Sequence, residues 1–324
     1  MKDNITLISI IMSVYNEEPL WLREAIASIL NQTYKNLEFI IIIDNPLNQT
    51  LIDIVEVFSK KDKRIKYRIN SKNKGLIDSL NSALQMTQGK YIARMDADDI
   101  SDKERLEKQL AYLKKHNLDL IGSNVRLFSG DREVFFITNK LLTHKYLKKM
   151  LAYGMMGMVH PTFFGTKEIF DVLQGYKKAY HAEDQDFLAR AFCQGFKVGN
   201  IKEVLLDCRY SNESVTKTNA IYVSKISAYV TKVFQQCLKS NHYAYDASYY
   251  LHLKISQKEK DAFSKKKILM DEARNVWNEK RYFRFIVTLL RAMFTSKSTW
   301  VNIKMNLKFK YLKWREERYF GQAK

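Results

Sequence analysis

Three prolines and eleven glycines in 324 residues leave no material for a long low-complexity linker. The three cysteines, Cys193, Cys208 and Cys237, are odd in number and include no C-x-x-C pair. That argues against a zinc cluster or a disulfide framework and predicts free thiols in a reducing cytoplasm. Long apolar runs are also missing. No stretch reaches the roughly 20 apolar residues that cross a bilayer. The C-terminal run Phe285 to Leu290 stops at Arg291. Residues 5–14 are apolar but lead into Tyr15-Asn16-Glu17-Glu18 without a small-residue cleavage site, so no secretory leader is expected. These absences point to a protein that does not span the membrane.

The apolar fraction of 46% is enough for an ordinary core. The net charge of +19 is unevenly placed: residues 217–324 carry +15 and residues 1–216 only +4. The expected organisation is a main domain over 1–216, with halves at about 1–100 and 101–216, and a basic helical region over 217–324. A basic segment seeks an anionic partner, whether lipid headgroups, nucleic acid or an acidic polymer.

Along the chain, residues 6–14 read as a buried strand. Pro19 then opens an amphipathic helix over 19–31. Strands follow at 38–43, 65–69 and 90–95, separated by helices marked by Leu51, Ile54, Val55 and Phe58, then by Leu76, Leu80, Ala83 and Leu84. This β-α-β-α-β-α-β order predicts a doubly wound parallel sheet. Tyr15, Glu17, Asp44, Asn73, Asp96 and Asp98 each follow a strand, so they converge on one edge. Farther on, a helix capped near Ser101 is expected, then a strand at 118–128, a helix at 144–153, a strand or strand-turn at 158–165 and a strand pair over 196–210.

Asp96, Asp98 and Asp99 crowd the end of the apolar stretch Tyr91 to Met95. Such carboxylates repel one another unless a cation lies between them. Oxygen ligands of this kind suit Mg²⁺ or Mn²⁺, usually shared with a phosphate. A second acidic group, Glu183, Asp184 and Asp186, opens a helix. Two readings stand: first-turn acids that complement the helix dipole, or a general base facing the site.

The ordered set of motifs over residues 5–216 resembles the family-2 glycosyltransferases, whose fold is GT-A. It runs from Ser9 to Glu17, through Glu38 to Asp44, Asn73-Lys74-Gly75-Leu76 with Asn81, and Gly89 to Asp99. Arg105, Gln109, His160-Pro161, Glu183-Asp184, Arg209 and Ser214-Val215 complete it. Ile43 replaces the first of two adjacent aspartates usual in that family, Asn45-Pro46 follow in place of glycine and serine, and Leu80 stands where many members carry arginine. The resemblance implies a GT-A-like, Rossmann-like mixed sheet, mainly parallel and flanked by helices. It implies a nucleotide-sugar donor, most simply a UDP-linked hexose or N-acetylhexosamine, held by Tyr15, Glu17, Asp44, Asn73, Asp96 and Arg209. Asp98, with Asp96, would hold Mn²⁺ or Mg²⁺. Asp184 would be the base that activates an acceptor hydroxyl, with inversion at the anomeric carbon, and His160 and Glu183 would meet the acceptor. For His160 a structural role stays open, as does a plain salt bridge for Arg209.

Near the C-terminus, Trp300, Ile303, Leu307, Tyr311 and Trp314 share a helical face, and Tyr282, Phe283, Phe285, Ile286, Leu289, Leu290 and Phe294 form a second apolar group edged by Arg281, Arg284 and Arg291. Such stripes pack into a core or lie on an anionic membrane surface. The second option fits a peripheral enzyme on the inner face of the cell membrane acting on a lipid-linked surface polysaccharide. A nucleotidyltransferase would also use aspartates and a metal, but Tyr15-Asn16-Glu17-Glu18 lacks the glycines of a phosphate loop. A non-enzymatic nucleic-acid binder is not expected, because the basic charge sits in the tail, away from the acidic site.

Overall fold

The computed structural model describes residues 6–129, 132–138, 142–210, 219–279 and 281–293. Strands β1 (Ile8–Val14) and β2 (Leu37–Ile43) are nearly continuous apolar runs, buried on both faces as central strands of a parallel sheet must be. Helices α1 (Pro19–Leu30), α2 (Gln49–Lys61) and α3 (Leu76–Leu84) cover them. Pro19 sits in the first turn of α1, where its missing N–H is harmless, and the Asn48 side chain caps α2 by accepting from the Leu51 N–H. With β3 (Ile65–Ile69) and β4 (Tyr91–Asp96), the spatial order is β3-β2-β1-β4, parallel throughout. All four carboxyl ends therefore share one edge.

The second half comprises β5 (Ile100–Ser101), α4 (Arg105–Lys115), β6 (Leu120–Ser129), β7 (Glu133–Ile137), α5 (His144–Ala152), β8 (Phe164–Thr166), α6 (Lys167–Val172), α7 (Glu183–Cys193), β9 (Val198–Arg209) and α8 (Ala220–Ser240). The sheet continues β4-β8-β6-β9-β5, with β7 on β6 and β8 antiparallel to both neighbours, so the whole is mixed. Beyond β4 the chain enters β5, and β5 pairs with the end of β9. That pairing carries Arg209 to the aspartates.

Four expectations change. The pair over 196–210 is one strand, β9, whose register against β6 slips between Gly122 and Val125. Residues 160–162 form a 3₁₀ turn around Pro161 before β8. Ser101 lies in β5 instead of capping α4; Asp102 Oδ1 accepts from the Glu104 N–H at 2.9 Å. The cysteines are not all free. Cys193 at the end of α7 is bonded to Cys237 of α8, and buried Cys208 is the free thiol. Helix α8 packs on α7, with Phe192 and Phe234 ring centroids 6.0 Å apart, and the two thiols meet in that seam. Counting cysteines could not reveal a contact between helices 44 residues apart.

The chain divides into two compact units, Met1–Ala247 and Ser248–Lys324. Helix α8 belongs to the first, although the sequence reading grouped it with the basic region. In the second, α9 (Tyr249–His252), α10 (Gln257–Asn278) and α11 (Tyr282–Met293) follow one another. Leu269, Ala273 and Val276 of α10 are buried, and Arg284 of α11 pairs with Glu272 at 3.7 Å. No helix among the described residues is long and apolar enough to cross a membrane. The Trp300–Trp314 stripe, Phe294 and Ser214-Val215 lie outside the described residues.

Candidate active site

The site is assembled at the carboxyl edge of β1, β2 and β4. Asp44, at the end of β2, is buried, and its oxygens accept from Asn70 Nδ2 (2.6 Å), the Lys74 N–H (2.9 Å) and the Gly75 N–H (2.7 Å). Gly75 has φ +84°, a conformation that favours glycine, and so can turn its N–H onto the carboxylate as α3 begins. Asn73 Oδ1 accepts from the same N–H at 2.9 Å. Asp44 and Asn73 thus shape the loop that walls the site. At the end of β1, Glu17 accepts from the Tyr15 N–H at 2.8 Å, while the Tyr15 ring stays exposed.

Asp96, Asp98 and Asp99 each place an oxygen within 4.8 Å of the others. Burial, then the neighbouring charge of Asp96, pushes Asp98 up to about 6. The same two causes raise Asp99 well above the usual carboxylate range. Burial raises Glu17 to about 7, and Asp98 and Asp96 add to this. Three carboxylate oxygens this close together match the ligand chemistry of a hard divalent cation. Asp99 belongs to the crowded trio but not to the pair that the resemblance names as metal ligands. It accepts from the Arg209 N–H at 2.9 Å and from the Cys208 thiol.

Arg209 is already engaged. Its guanidinium lies between the rings of Trp21 and Phe128, 4.7 and 4.6 Å from their centroids, and it donates to Glu24 Oε2 at 2.8 Å and to the Asp98 carbonyl at 3.1 Å. The ion pair with Glu24 holds Arg209 beside the aspartates.

The second acidic group faces the first. Helix α7 begins at Glu183, with Glu183 and Asp184 partly buried. Burial raises Asp184, and burial together with the Asp184 charge lifts Glu183 to about 7. The charge of Asp96 reaches Glu183, and the charge of Arg94 reaches Asp98, Glu183 and Asp184 alike. The tip of β4 and the head of α7 therefore lie within electrostatic reach of one another. Asp186 turns away from it and is buried against Arg190 (2.7 Å) and Tyr243 (2.7 Å).

Sequence reasoning missed Arg94 and Tyr176. Arg94 is 3% exposed and pairs with Asp96 at 2.6 Å. The signal was present, as an arginine inside an otherwise apolar strand. Tyr176 sits beside His160, with ring centroids 5.1 Å apart, and its loop is tied to α3 by the Asn81 amide, which accepts from the Tyr176 N–H and donates to its carbonyl, both at 2.8 Å. His160 is buried, and burial followed by the Arg94 charge lowers its imidazole well below the usual range. Arg105 locks this region, donating to the carbonyls of Arg94 (2.6 Å) and Pro161 (2.9 Å) and to Gln109 (3.0 Å).

Residues 9–173 match the model of the family described as glycosyl transferase family 2. An uncharacterized glycosyltransferase of Methanocaldococcus jannaschii is 34% identical over 229 residues, 69% of this chain and 78% of that one. The O-antigen biosynthesis glycosyltransferase WbnJ of Escherichia coli is 31% identical over 221 residues, 67% and 85% of the two chains. Among solved structures, S. aureus TarS 1–349 in complex with UDP-GlcNAc is similar in fold, with a TM-score of 0.58 at 16% identity over 81% of this chain and 80% of that one. With the family model matching half of the chain and a relative 34% identical over 69% of it, the chain is a member of glycosyltransferase family 2, with a GT-A-like fold.

Proposed function

We propose that the chain transfers a hexose or N-acetylhexosamine from a UDP-linked donor to a hydroxyl of a glycan acceptor, with divalent-metal assistance and inversion at the anomeric carbon. One observation carries this reading: Asp96, Asp98 and Asp99 place oxygens within 4.8 Å of one another, and the charge of Arg94 acts both on Asp98 and on the second carboxylate pair, Glu183 and Asp184. Asp96 and Asp98 would hold Mn²⁺ or Mg²⁺, and the cation would neutralise charge on the leaving diphosphate. Asp184 takes the proton of the attacking hydroxyl, and direct attack of that hydroxyl on the anomeric carbon displaces the diphosphate with inversion. Glu17 and Tyr15 hold the nucleoside at the end of β1, and the loop braced by Asp44 and Asn73 closes its other side. Glu183 lies on the acceptor side.

The likeness to WbnJ, named for O-antigen biosynthesis, and to TarS bound to UDP-GlcNAc supports a surface glycan as product and uridine diphosphate as carrier. A lipid-linked acceptor accords with helix α11. There Phe283, Ile286, Val287 and Leu290 recur at helical spacing and are exposed, edged by Arg281, Arg284 and Arg291. Apolar side chains bordered by arginine suit an anionic lipid surface. The reading places the protein on the inner face of the membrane, with no role for nucleic acid. A screen of nucleotide-sugars tests the donor: Mn²⁺-dependent hydrolysis or thermal stabilisation by a UDP-sugar is expected. A response to no nucleotide-sugar would end the reading.

A further inference from the structure

Three buried polar side chains beside Asp96 leave hydrogen-bonding atoms unsatisfied inside the protein. Arg94 gives one guanidinium nitrogen to Asp96, but its Nε and Nη1 have no partner. The His160 Nε2 and the Tyr176 hydroxyl also have none. Their exposures are 3%, 9% and 2%. The three are neighbours. His160 and Tyr176 are in edge-to-face contact, and the Arg94 charge acts on both.

Buried donors and acceptors are almost always paired, and leaving one unpaired costs about 1–3 kcal/mol. Four such atoms in one place are not explained by the fold. Phenylalanine could fill the Tyr176 position among Phe163, Phe170 and Phe187 without that cost. Their position is specific. In-line transfer requires the sugar to lie between the diphosphate, on the Asp96–Asp98 side, and the base, on the Asp184 side. Arg94 reaches both sides.

We infer that Arg94, His160 and Tyr176 form the seat of the glycosyl group being transferred and read its hydroxyl pattern. This rests on the glycosyltransfer reading and refines it, moving His160 from the acceptor to the donor sugar. The chemistry suits a neutral polyol better than a second phosphate. Burial and the Arg94 charge keep the imidazole neutral, so it offers one donor and one acceptor, and burial keeps the Tyr176 hydroxyl protonated. Sugar hydroxyls also donate and accept. A site built this way discriminates sharply against a sugar whose hydroxyl is missing or inverted, because its own polar atoms are then left buried and unpaired.

The test uses the full chain with Mn²⁺ and compares UDP with UDP-glucose, UDP-galactose, UDP-N-acetylglucosamine and UDP-N-acetylgalactosamine by calorimetry. Tyr176→Phe removes one oxygen, and His160→Phe removes the ring nitrogens while retaining an aromatic ring. The preferred UDP-sugar is expected to bind about tenfold more weakly to either variant, the loss of roughly one hydrogen bond. UDP itself should bind within twofold of wild type, and Tyr176→Phe should melt no lower than wild type. The inference is overturned if both variants bind the sugar nucleotide as wild type does, or if UDP and UDP-sugar weaken together. Wild-type protein that binds none of the five nucleotides would instead refute the glycosyltransfer reading itself.

Discussion

Arg94 and Asp96 stand two residues apart on β4, on the same face of the strand, and form an ion pair of 2.6 Å with Arg94 almost fully buried. The pair sets the electrostatics of the site. The Arg94 guanidinium pairs with Asp96, and its charge lowers Asp98, Glu183 and Asp184 against the burial that raises them. Replacing Arg94 by methionine should therefore leave the carboxylates harder to ionise. Because the Asp96 side chain is 34% exposed and can be hydrated, losing this pair costs less than a fully buried one, about 1–3 kcal/mol. Urea unfolding is expected to show a loss of that order, with transfer activity largely gone.

The acidic trio predicts cation dependence. Asp98→Ala removes one of three oxygens that lie within 4.8 Å of each other. The variant should melt near wild type, since it also relieves repulsion from Asp96. Calorimetric titration with MnCl₂ should show affinity lowered at least tenfold, and donor hydrolysis should fall with it. Unchanged Mn²⁺ affinity would remove Asp98 from the metal site.

Glu183 gives a pH prediction with a definite sign. Its folded-state carboxyl is raised to about 7, from an ordinary value of 4.5. Between these values the folded state holds a proton that the unfolded state has lost, so this group favours folding at low pH. That contribution disappears as pH rises through about 7. Metal-free Glu183→Gln should therefore lose less stability than wild type between pH 5.5 and pH 7.5, as read by chemical unfolding. The activity of the wild type should run the opposite way. Asp184 must be ionised to act as a base, and burial raises its carboxyl, so turnover at saturating Mn²⁺ should climb as pH rises from 5.5.

Arg105 is a positioning residue. Its donors hold the carbonyls of Arg94 and Pro161, joining β4 to the turn that carries His160. Arg105→Met would leave both buried carbonyls without this partner. The expected cost is roughly 2–4 kcal/mol of stability, measured by urea unfolding, with a smaller effect from Gln109→Leu, which loses the 2.8 Å bond to the Thr162 carbonyl.

For the membrane, Phe283→Asp and Leu290→Asp place charge on the exposed face of α11, where neither side chain supports the packing of its own helix pair. Co-sedimentation with phosphatidylglycerol vesicles should drop several-fold in the double variant. Equal sedimentation of wild type and variant would exclude this face as the contact.

The first half of the fold was legible because hydrophobic periodicity there is unmixed. β1 and β2 are apolar along their length, and each is followed by a helix with one apolar stripe. The acidic residues could be placed on one edge from strand direction alone. What escaped depends on contacts between distant segments. The slip in β9 follows from its pairing with β6, and the Cys193–Cys237 bond from the packing of α8 on α7. The setting of Arg209 between Trp21, Phe128 and Glu24 likewise depends on segments far apart in the chain. Tyr176 carried no local signal, since an aromatic residue after Gly175 reads as core, and only its unpaired hydroxyl marks it out.

The central claim is that Asp184 serves as base across the cleft from the metal-suited aspartates. Turnover of the donor identified by the screen, measured for wild type and Asp184→Asn at saturating Mn²⁺, tests it most directly. The account predicts a folded variant that binds the UDP-sugar as tightly as wild type and turns it over at least a hundredfold more slowly, within the range a positioned general base contributes. Near-normal turnover by Asp184→Asn would contradict it.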